Sequence, residues 1–111
     1  MSETLTVSRI VEKLPGRFIP EAATDLKAVF QFKLEDGDDF FIEISDTLCT
    51  AELGNHQDPN VTLLMSTDTM FAVISGEKDG MSAFLTGQLR AEGNVMLATR
   101  LGKLFSREKR H

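Results

Sequence analysis

The fold is decided by the stretch Gly76-Glu-Lys-Asp-Gly-Met-Ser-Ala-Phe-Leu-Thr-Gly-Gln-Leu-Arg-Ala-Glu-Gly-Asn94, which runs directly into Val95-Met-Leu-Ala-Thr-Arg-Leu-Gly-Lys-Leu-Phe105. Its apolar positions predict a short helix, then a strand bounded by glycines, then an amphipathic helix. Phe, Leu and Met dominate this stretch, and side chains with catalytic potential are scarce. Such helices, packed over a sheet, surround either a plain core or a pocket for an apolar ligand. The function therefore depends on whether these side chains fill their own interior.

Period-two alternation predicts the strands of a sheet at residues 27–34, 40–45, 48–53, 61–66 and 88–92. The fourth strand has apolar side chains on both sides, which is typical of a central position. Two helices between the fourth and fifth strands form a crossover, which leaves room for a parallel strand pair. The sequence therefore predicts one α+β domain over residues 1–111, with its helices on one face of the sheet.

Local signals predict where the helices begin and end. The first helix is expected to have a cap at Thr4 or Thr6 and to stop at Pro15-Gly16. Asp68 is expected to cap the helix that follows the fourth strand, and Asn94 the last helix.

Composition excludes several classes of function. The net charge of −5 argues against a general nucleic-acid binder. A single cysteine, Cys49, excludes an internal disulfide. The first residues lack the pattern of a signal peptide, and no apolar run approaches the roughly 20 residues that span a bilayer. A cytoplasmic protein without a cofactor is expected.

Residues that could react or bind a metal are sparse. His56 and His111 lie at no ligand spacing from Cys49 or from each other, so no metal site is predicted. Cys49 lies in a predicted strand without a basic neighbour, where an inert thiol is expected rather than a nucleophile. The acidic residues at 36–39 predict a solvated hairpin turn, because the downstream Glu of a calcium loop is missing.

The last predicted helix has two stripes. Its apolar stripe consists of Leu97, Ala98, Leu101, Leu104 and Phe105, and its basic stripe of Arg100, Lys103 and Arg107. One interpretation is an ordinary surface helix with a solvated basic face. The other is a lid, whose apolar side covers a cavity and whose basic side meets the anionic headgroups of a membrane surface.

The chain resembles the sterol carrier protein type 2 domain family over about residues 10–105. The matching positions are Leu14-Pro15, Phe18-Ile19-Pro20-Glu21-Ala22-Ala23, Phe30-Gln31-Phe32, residues 61–66 with Asp68 and the helix after it, Phe84-Leu85-Thr86-Gly87, Leu89, Gly93-Asn94, Ala98, Leu101 and Leu104-Phe105. The resemblance implies a five-stranded mixed sheet in the order 3-2-1-4-5, covered by about five helices that enclose an apolar tunnel. Because the chain ends without a peroxisomal Ser-Lys-Leu address, a free-standing, bacterial-type member is expected.

The resemblance also implies a ligand and a binding wall. Members of that family bind sterols, fatty acids, fatty acyl-CoA or phospholipids without covalent chemistry, so a non-enzymatic carrier is expected. The wall would consist of Phe71, Ile74, Met81, Phe84, Leu85, Leu89, Met96, Leu97, Leu101 and Phe105. Thr99 lies near the position where some relatives place a polar side chain that anchors an oxygen of the ligand.

A second class of function stays open at this point. An accessory or scaffold domain would use the same apolar groove to receive a helix of a partner, or to present an isoprenoid substrate to an enzyme complex. The sequence leaves the oligomeric state open, because exposed apolar surface could equally pair two copies.

Overall fold

The computed structural model describes residues 7–23, 25–75 and 77–105. The helical segments are α1 (Val7–Arg17), a 3₁₀ turn (Pro20–Ala23), α2 (Thr67–Ser75), α3 (Gly80–Leu85), α4 (Val95–Ala98) and α5 (Leu101–Leu104). The strands are β1 (Lys27–Leu34), β2 (Phe40–Ser45), β3 (Leu48–Leu53), β4 (Val61–Met65) and β5 (Leu89–Gly93). None of the helices in these ranges is long and apolar enough to cross a membrane.

The five strands form one mixed sheet in the order β3-β2-β1-β4-β5, which confirms the predicted fold class and strand order. β1 pairs antiparallel with β2 and parallel with β4, where Phe30 lies opposite Val61. β4 and β5 are antiparallel, because α2 and α3 return the chain beside β4 in the opposite direction. The two helices between β4 and β5 therefore do not connect a parallel pair, and the parallel pair is β1–β4. β4, the strand predicted to be central, lies between β1 and β5.

One face of the sheet carries the hydrophobic core. The register places Phe32 beside both Phe40 and Leu63 on this face, and all three side chains are fully buried. The rings of Phe32 and Phe40 stack with centroids 4.6 Å apart. α1 packs near one edge of the sheet on β3, whereas α3 and α4 contact β5 at the other edge. Helices thus lie at both edges of this face.

The opposite face is crossed by the loop of residues 54–60, which joins β3 to β4. Gln31 lies on this face and is only 1% exposed, although its side chain is polar. Its Nε2 donates to the carbonyl oxygens of Phe40 (3.1 Å) and Gly54 (3.0 Å), and its Oε1 accepts from the amide of His56 (2.7 Å). The ring of His56 also meets that of Phe41 edge-on. Gln31 therefore fastens the loop to the sheet.

Replacing Gln31 with Leu is expected to lower the free energy of unfolding by about 1–3 kcal/mol, because buried backbone groups of the loop lose their partner. Urea denaturation measures the change. Gln57→Leu, in the exposed part of the same loop, is the matched control and should have little effect. Equal losses in the two variants would contradict the role assigned to Gln31.

The first helix is longer than predicted. α1 continues through Pro15 to Arg17, although Pro15 lacks the amide that would bond to the carbonyl of Val11. Leu14 and Phe18 are both buried, on the two sides of Pro15. Their packing holds the last turn in helical geometry against the local stop signal. The predicted caps, at positions 4 and 6, lie outside the described residues.

The start of α2 also differs from the prediction, because Asp68 lies inside the first turn and does not cap it. Oδ1 of Asp36, in the β1–β2 turn, accepts from the amide (2.8 Å) and the hydroxyl (2.9 Å) of Thr67. Ser66 Oγ accepts from the amide of Thr69. These bonds from Thr67 lower the pKa of the Asp36 carboxyl below 3.8. Ser66 thus makes the capping bond of α2, and an acidic residue of a distant turn accepts from the first amide of the helix.

Because the pKa of Asp36 is lower in the folded protein, its charge stabilises the fold above the pKa of an unfolded aspartate, about 3.9. That contribution is lost as the pH falls through the folded-state pKa. Asp36→Ala should therefore lower Tm at pH 7, and the difference from the wild type should shrink below about pH 4. Thermal melts at both pH values test this. Asp38→Ala, an exposed substitution in the same turn, should leave Tm nearly unchanged at both.

Candidate functional site

The structure divides the predicted site residues into three groups: buried, exposed and half-buried. Ile74, Leu89, Leu97, Leu101 and Phe105 are buried in the core. Met81, Phe84, Leu85 and Met96 are exposed, with Leu85 at 74% and Met96 at 67%. Phe71 and Thr99 are half-buried. The predicted wall is therefore part interior and part surface.

Five large apolar side chains are exposed on α3 and α4: Met81, Phe84, Leu85, Val95 and Met96. We call them the α3–α4 apolar surface. Val95 was not among the predicted wall residues. Its position next to Met96 in the sequence was the signal that could have indicated it.

The short helix α3 turns its small residues inward and its large ones outward. Asp79 caps it by accepting from the amide of Ser82, and the chain leaves it at Gly87, whose φ is +83°. Gly80 and Ala83 are buried. A Cβ at Gly80 would lie 2.8 Å from the carbonyl oxygen of Ala98 in α4. The two helices therefore touch, and this contact leaves no room for a larger side chain.

The predicted last helix is broken at Thr99–Arg100 into α4 and α5. Backbone bonds of the i to i+3 type hold this segment, including Arg100 N–H to Leu97 O (3.0 Å) and Lys103 N–H to Arg100 O (3.0 Å). This tighter winding keeps the predicted apolar stripe buried on both sides of the break. Arg100 and Lys103 are exposed, and the third predicted basic residue, at position 107, lies outside the described residues.

The hydroxyl of Thr99, the predicted anchor for a ligand, is already engaged. Its Oγ1 donates to the carbonyl oxygen of Met96 at 2.8 Å. The bond stabilises the end of α4 and occupies the one hydroxyl hydrogen that a ligand oxygen would accept.

Phe105 is fixed by the N-terminal half of the chain. Its ring lies 5.9 Å from that of Phe18, with which it forms an isolated bridge, and Ile19 N–H donates to Leu104 O at 2.8 Å. The last described residues are therefore held beside the segment that follows α1.

Cys49 and His56 lie on different faces of the sheet. Cys49 is level with Ile44 on the helix-covered face, whereas His56 packs on Phe41 on the other. Burial raises the pKa of the Cys49 thiol to about 12, so it is protonated at neutral pH. Nδ1 of His56 accepts from the amide of Asp58 at 3.0 Å. The two groups are not placed to act as a nucleophile and its base.

A groove of about 350 Å³ lies on α1, lined by Glu12, Lys13, Gly16 and Arg17. Because α1 packs on β3, this charged groove is at the opposite edge of the sheet from the α3–α4 apolar surface. It does not correspond to the predicted apolar tunnel.

A profile described as the SCP-2 sterol transfer family matches residues 12–106. The chain belongs to this family. The family that the sequence resembles is thereby confirmed, whereas a free-standing, bacterial-type member stays a prediction.

The relatives include much longer proteins. Hydroxysteroid dehydrogenase-like protein 2 of Bos taurus is 35% identical over 83 residues, which cover 72% of this chain and 20% of the relative. The chain thus spans about a fifth of the length of this curated relative.

Two solved structures share the fold. The inverting sec-alkylsulfatase Pisa1 from Pseudomonas sp. superposes with a TM-score of 0.81 at 17% identity, over 92% of this chain and 16% of that one. Palmitated SCP2L2 from Aedes aegypti superposes with a TM-score of 0.68 at 21% identity, over 96% of this chain and 100% of that one. The same α+β architecture therefore occurs both as a small protein and as part of a large enzyme.

The contact between α3 and α4 can be tested with two helical glycines. Gly80→Ala should lower the free energy of unfolding by about 1–3 kcal/mol, because the new Cβ collides with backbone that has to shift. Gly16→Ala, in α1, meets nothing within 4 Å. It should leave stability unchanged or raise it by up to about 1 kcal/mol. Urea denaturation of both variants measures the difference, and a neutral Gly80→Ala would contradict the contact.

Proposed function

We propose that the chain binds a long apolar ligand without reacting with it and carries it from one site to another. The ligand class is a lipid: a fatty acid, fatty acyl-CoA, phospholipid, or a sterol-like or isoprenoid molecule. The observation that carries the proposal is the α3–α4 apolar surface, because five large apolar side chains exposed on two touching helices are typical of a binding site. Membership of a sterol transfer family supports the same ligand class.

The ligand is proposed to pass from this surface to the interior. Beneath it would lie the buried members of the predicted wall, Ile74, Leu89, Leu97, Leu101 and Phe105, with Phe71 beside them. The helices above are short: α3 has 6 residues, and α4 and α5 have 4 each. Helices of this length are unstable alone, so their displacement is less costly than opening the sheet. The segment from Val95 to Phe105 would then serve as the cover.

Burial of the hydrocarbon chain supplies the affinity. Transfer of about ten methylene groups from water contributes roughly 8 kcal/mol before the costs of association. Because the hydroxyl of Thr99 donates to the carbonyl oxygen of Met96, the predicted anchor does not select one headgroup. We therefore expect broad specificity for chain type. Arg100 and Lys103 are proposed to meet an anionic headgroup or membrane surface, with Arg107 as the third predicted member of that basic stripe.

We infer a non-catalytic role from the placement of Cys49 and His56. Cys49 is a protonated thiol, and His56 lies across the sheet from it. The dehydrogenase-like name of the longer relatives describes proteins of which the matched part is about a fifth, so their chemistry is assigned to the rest of those chains.

Displacement of a fluorescent fatty acid by palmitate tests the site, with palmitate chosen because an Aedes aegypti protein of this fold is known in a palmitated form. Leu85→Asp should weaken palmitate binding about tenfold or more, because it places a charge within the apolar surface. Leu48→Asp is the matched control: Leu48 is 70% exposed, close to the 74% of Leu85, but lies on β3. It should bind palmitate like the wild type.

Both substitutions are at exposed positions, so thermal melts should show folded proteins. Equal affinity for palmitate in the wild type and Leu85→Asp would refute binding at the α3–α4 apolar surface. Native mass spectrometry of the gently purified wild type, followed by solvent extraction, would identify the class of bound lipid.

A second candidate is an accessory domain that presents its apolar surface to an enzyme. The observation in its favour is that the match covers only 20% of the dehydrogenase-like relative, so related domains occur joined to other segments. This function predicts a purified chain with no extractable lipid and no displacement of the fluorescent fatty acid.

A further inference from the structure

β5 is an edge strand of the sheet, and its outer side is open in the part of the chain that the structure describes. Val61 lies opposite Gly93, and Asn94 N–H donates to Asn60 O at 2.9 Å. Asn60 and Asn94 are therefore a hydrogen-bonded pair, and such pairs recur at every second residue of an antiparallel ladder. The N–H and C=O groups of Arg90 and Glu92 thus point toward β4. The amide and carbonyl of Ala91 therefore point outward, away from the sheet.

The side chains beside Ala91 make this edge complementary to itself. Arg90 and Glu92 are both exposed, and period-two alternation puts them together on the face opposite the helices. If two copies of β5 pair antiparallel with Ala91 opposite Ala91, Arg90 of each copy faces Glu92 of the other. In this register the outward N–H and C=O groups of Ala91 in one copy bond to those of Ala91 in the other. The charges and the backbone hydrogen bonds thus specify the same register.

The other edge strand lacks this property. In β3, Leu53 lies opposite Phe40 and Gly54 N–H donates to Asp39 O, so the backbone of Ala51 points outward in the same way. Pairing two copies about Ala51 would place Thr50 opposite Glu52, which gives no ion pair. The charge pattern therefore favours β5 over β3.

We propose that the chain forms a two-fold symmetric dimer in which β5 pairs with β5 of a second copy. The two five-stranded sheets then become one continuous sheet. α3 and α4 contact β5, so the α3–α4 apolar surfaces of both copies come next to each other across the two-fold axis. This dimer is independent of whether that surface binds lipid, because the pairing rests on the backbone and charges of β5.

Sedimentation velocity of the full chain, from about 1 µM to about 1 mM, measures the association. We expect a monomer–dimer equilibrium. Arg90→Glu and Glu92→Arg should each raise the dimer dissociation constant about tenfold or more, because two ion pairs become two like-charge contacts. The double variant Arg90→Glu/Glu92→Arg restores both pairs with exchanged signs and should return the constant to the wild-type range. Glu52→Arg, on β3, is the control and should change nothing.

Several outcomes would overturn the dimer: a monomer over the whole range, a dimer indifferent to either single substitution, or a double variant that associates no better than the singles. Association abolished by Leu85→Asp but unaffected by the β5 charges would mean that the apolar surface, not the strand edge, joins the copies. Palmitate displacement by the Arg90→Glu monomer should match the wild type, which keeps failure of this proposal distinct from failure of lipid binding.

Discussion

The fold depends on the chain crossing from β3, at one edge of the sheet, to β4, which lies on the far side of β1. A parallel pair such as β1–β4 cannot be joined by a tight hairpin, so the loop of residues 54–60 has to pass over the sheet with its polar backbone satisfied. Gln31 bonds the loop at two points. At the end of the loop, Asn60 Oδ1 accepts from the amide of Val29, and the amide of Asn60 donates to the carbonyl oxygen of Val29. The carbonyl oxygen of Asn60 accepts from the amide of Asn94. One loop thereby sets the register of β4 and the entry to α4.

Once β4 is in place, the candidate site follows from the size of the side chains in α3. Gly80 and Ala83 face inward because α4 passes close by, and the large neighbours in the same helix are left outside. The exposure of these side chains is therefore a consequence of the close contact between α3 and α4. This arrangement combines a five-stranded sheet with the short helices α3, α4 and α5, which are easier to displace locally than the sheet.

The two edges of the sheet carry different features. β3 lies beside α1 and its charged groove, whereas β5 lies beside α3 and α4, with their exposed apolar groups. The features on which the two proposals rest, for ligand binding and for association, thus lie at the same edge of the sheet. A domain organised in this way can work beside another segment or another copy, in keeping with a family whose matched region is about a fifth of the length of a curated relative.

The sequence by itself determined the strands, their order through the family resemblance, and the family, because alternation over five to eight residues is a local property that burial of one face enforces. Only the tertiary structure decided where local signals are overridden. α1 continues past Pro15 because the residues on both sides of it are packed, and Asp36 accepts from the first amide of α2, 31 residues away. It also decided which predicted wall residues face outward, since the inward side of α3 is set by the backbone of Ala98, a neighbour that spacing along the chain cannot reveal.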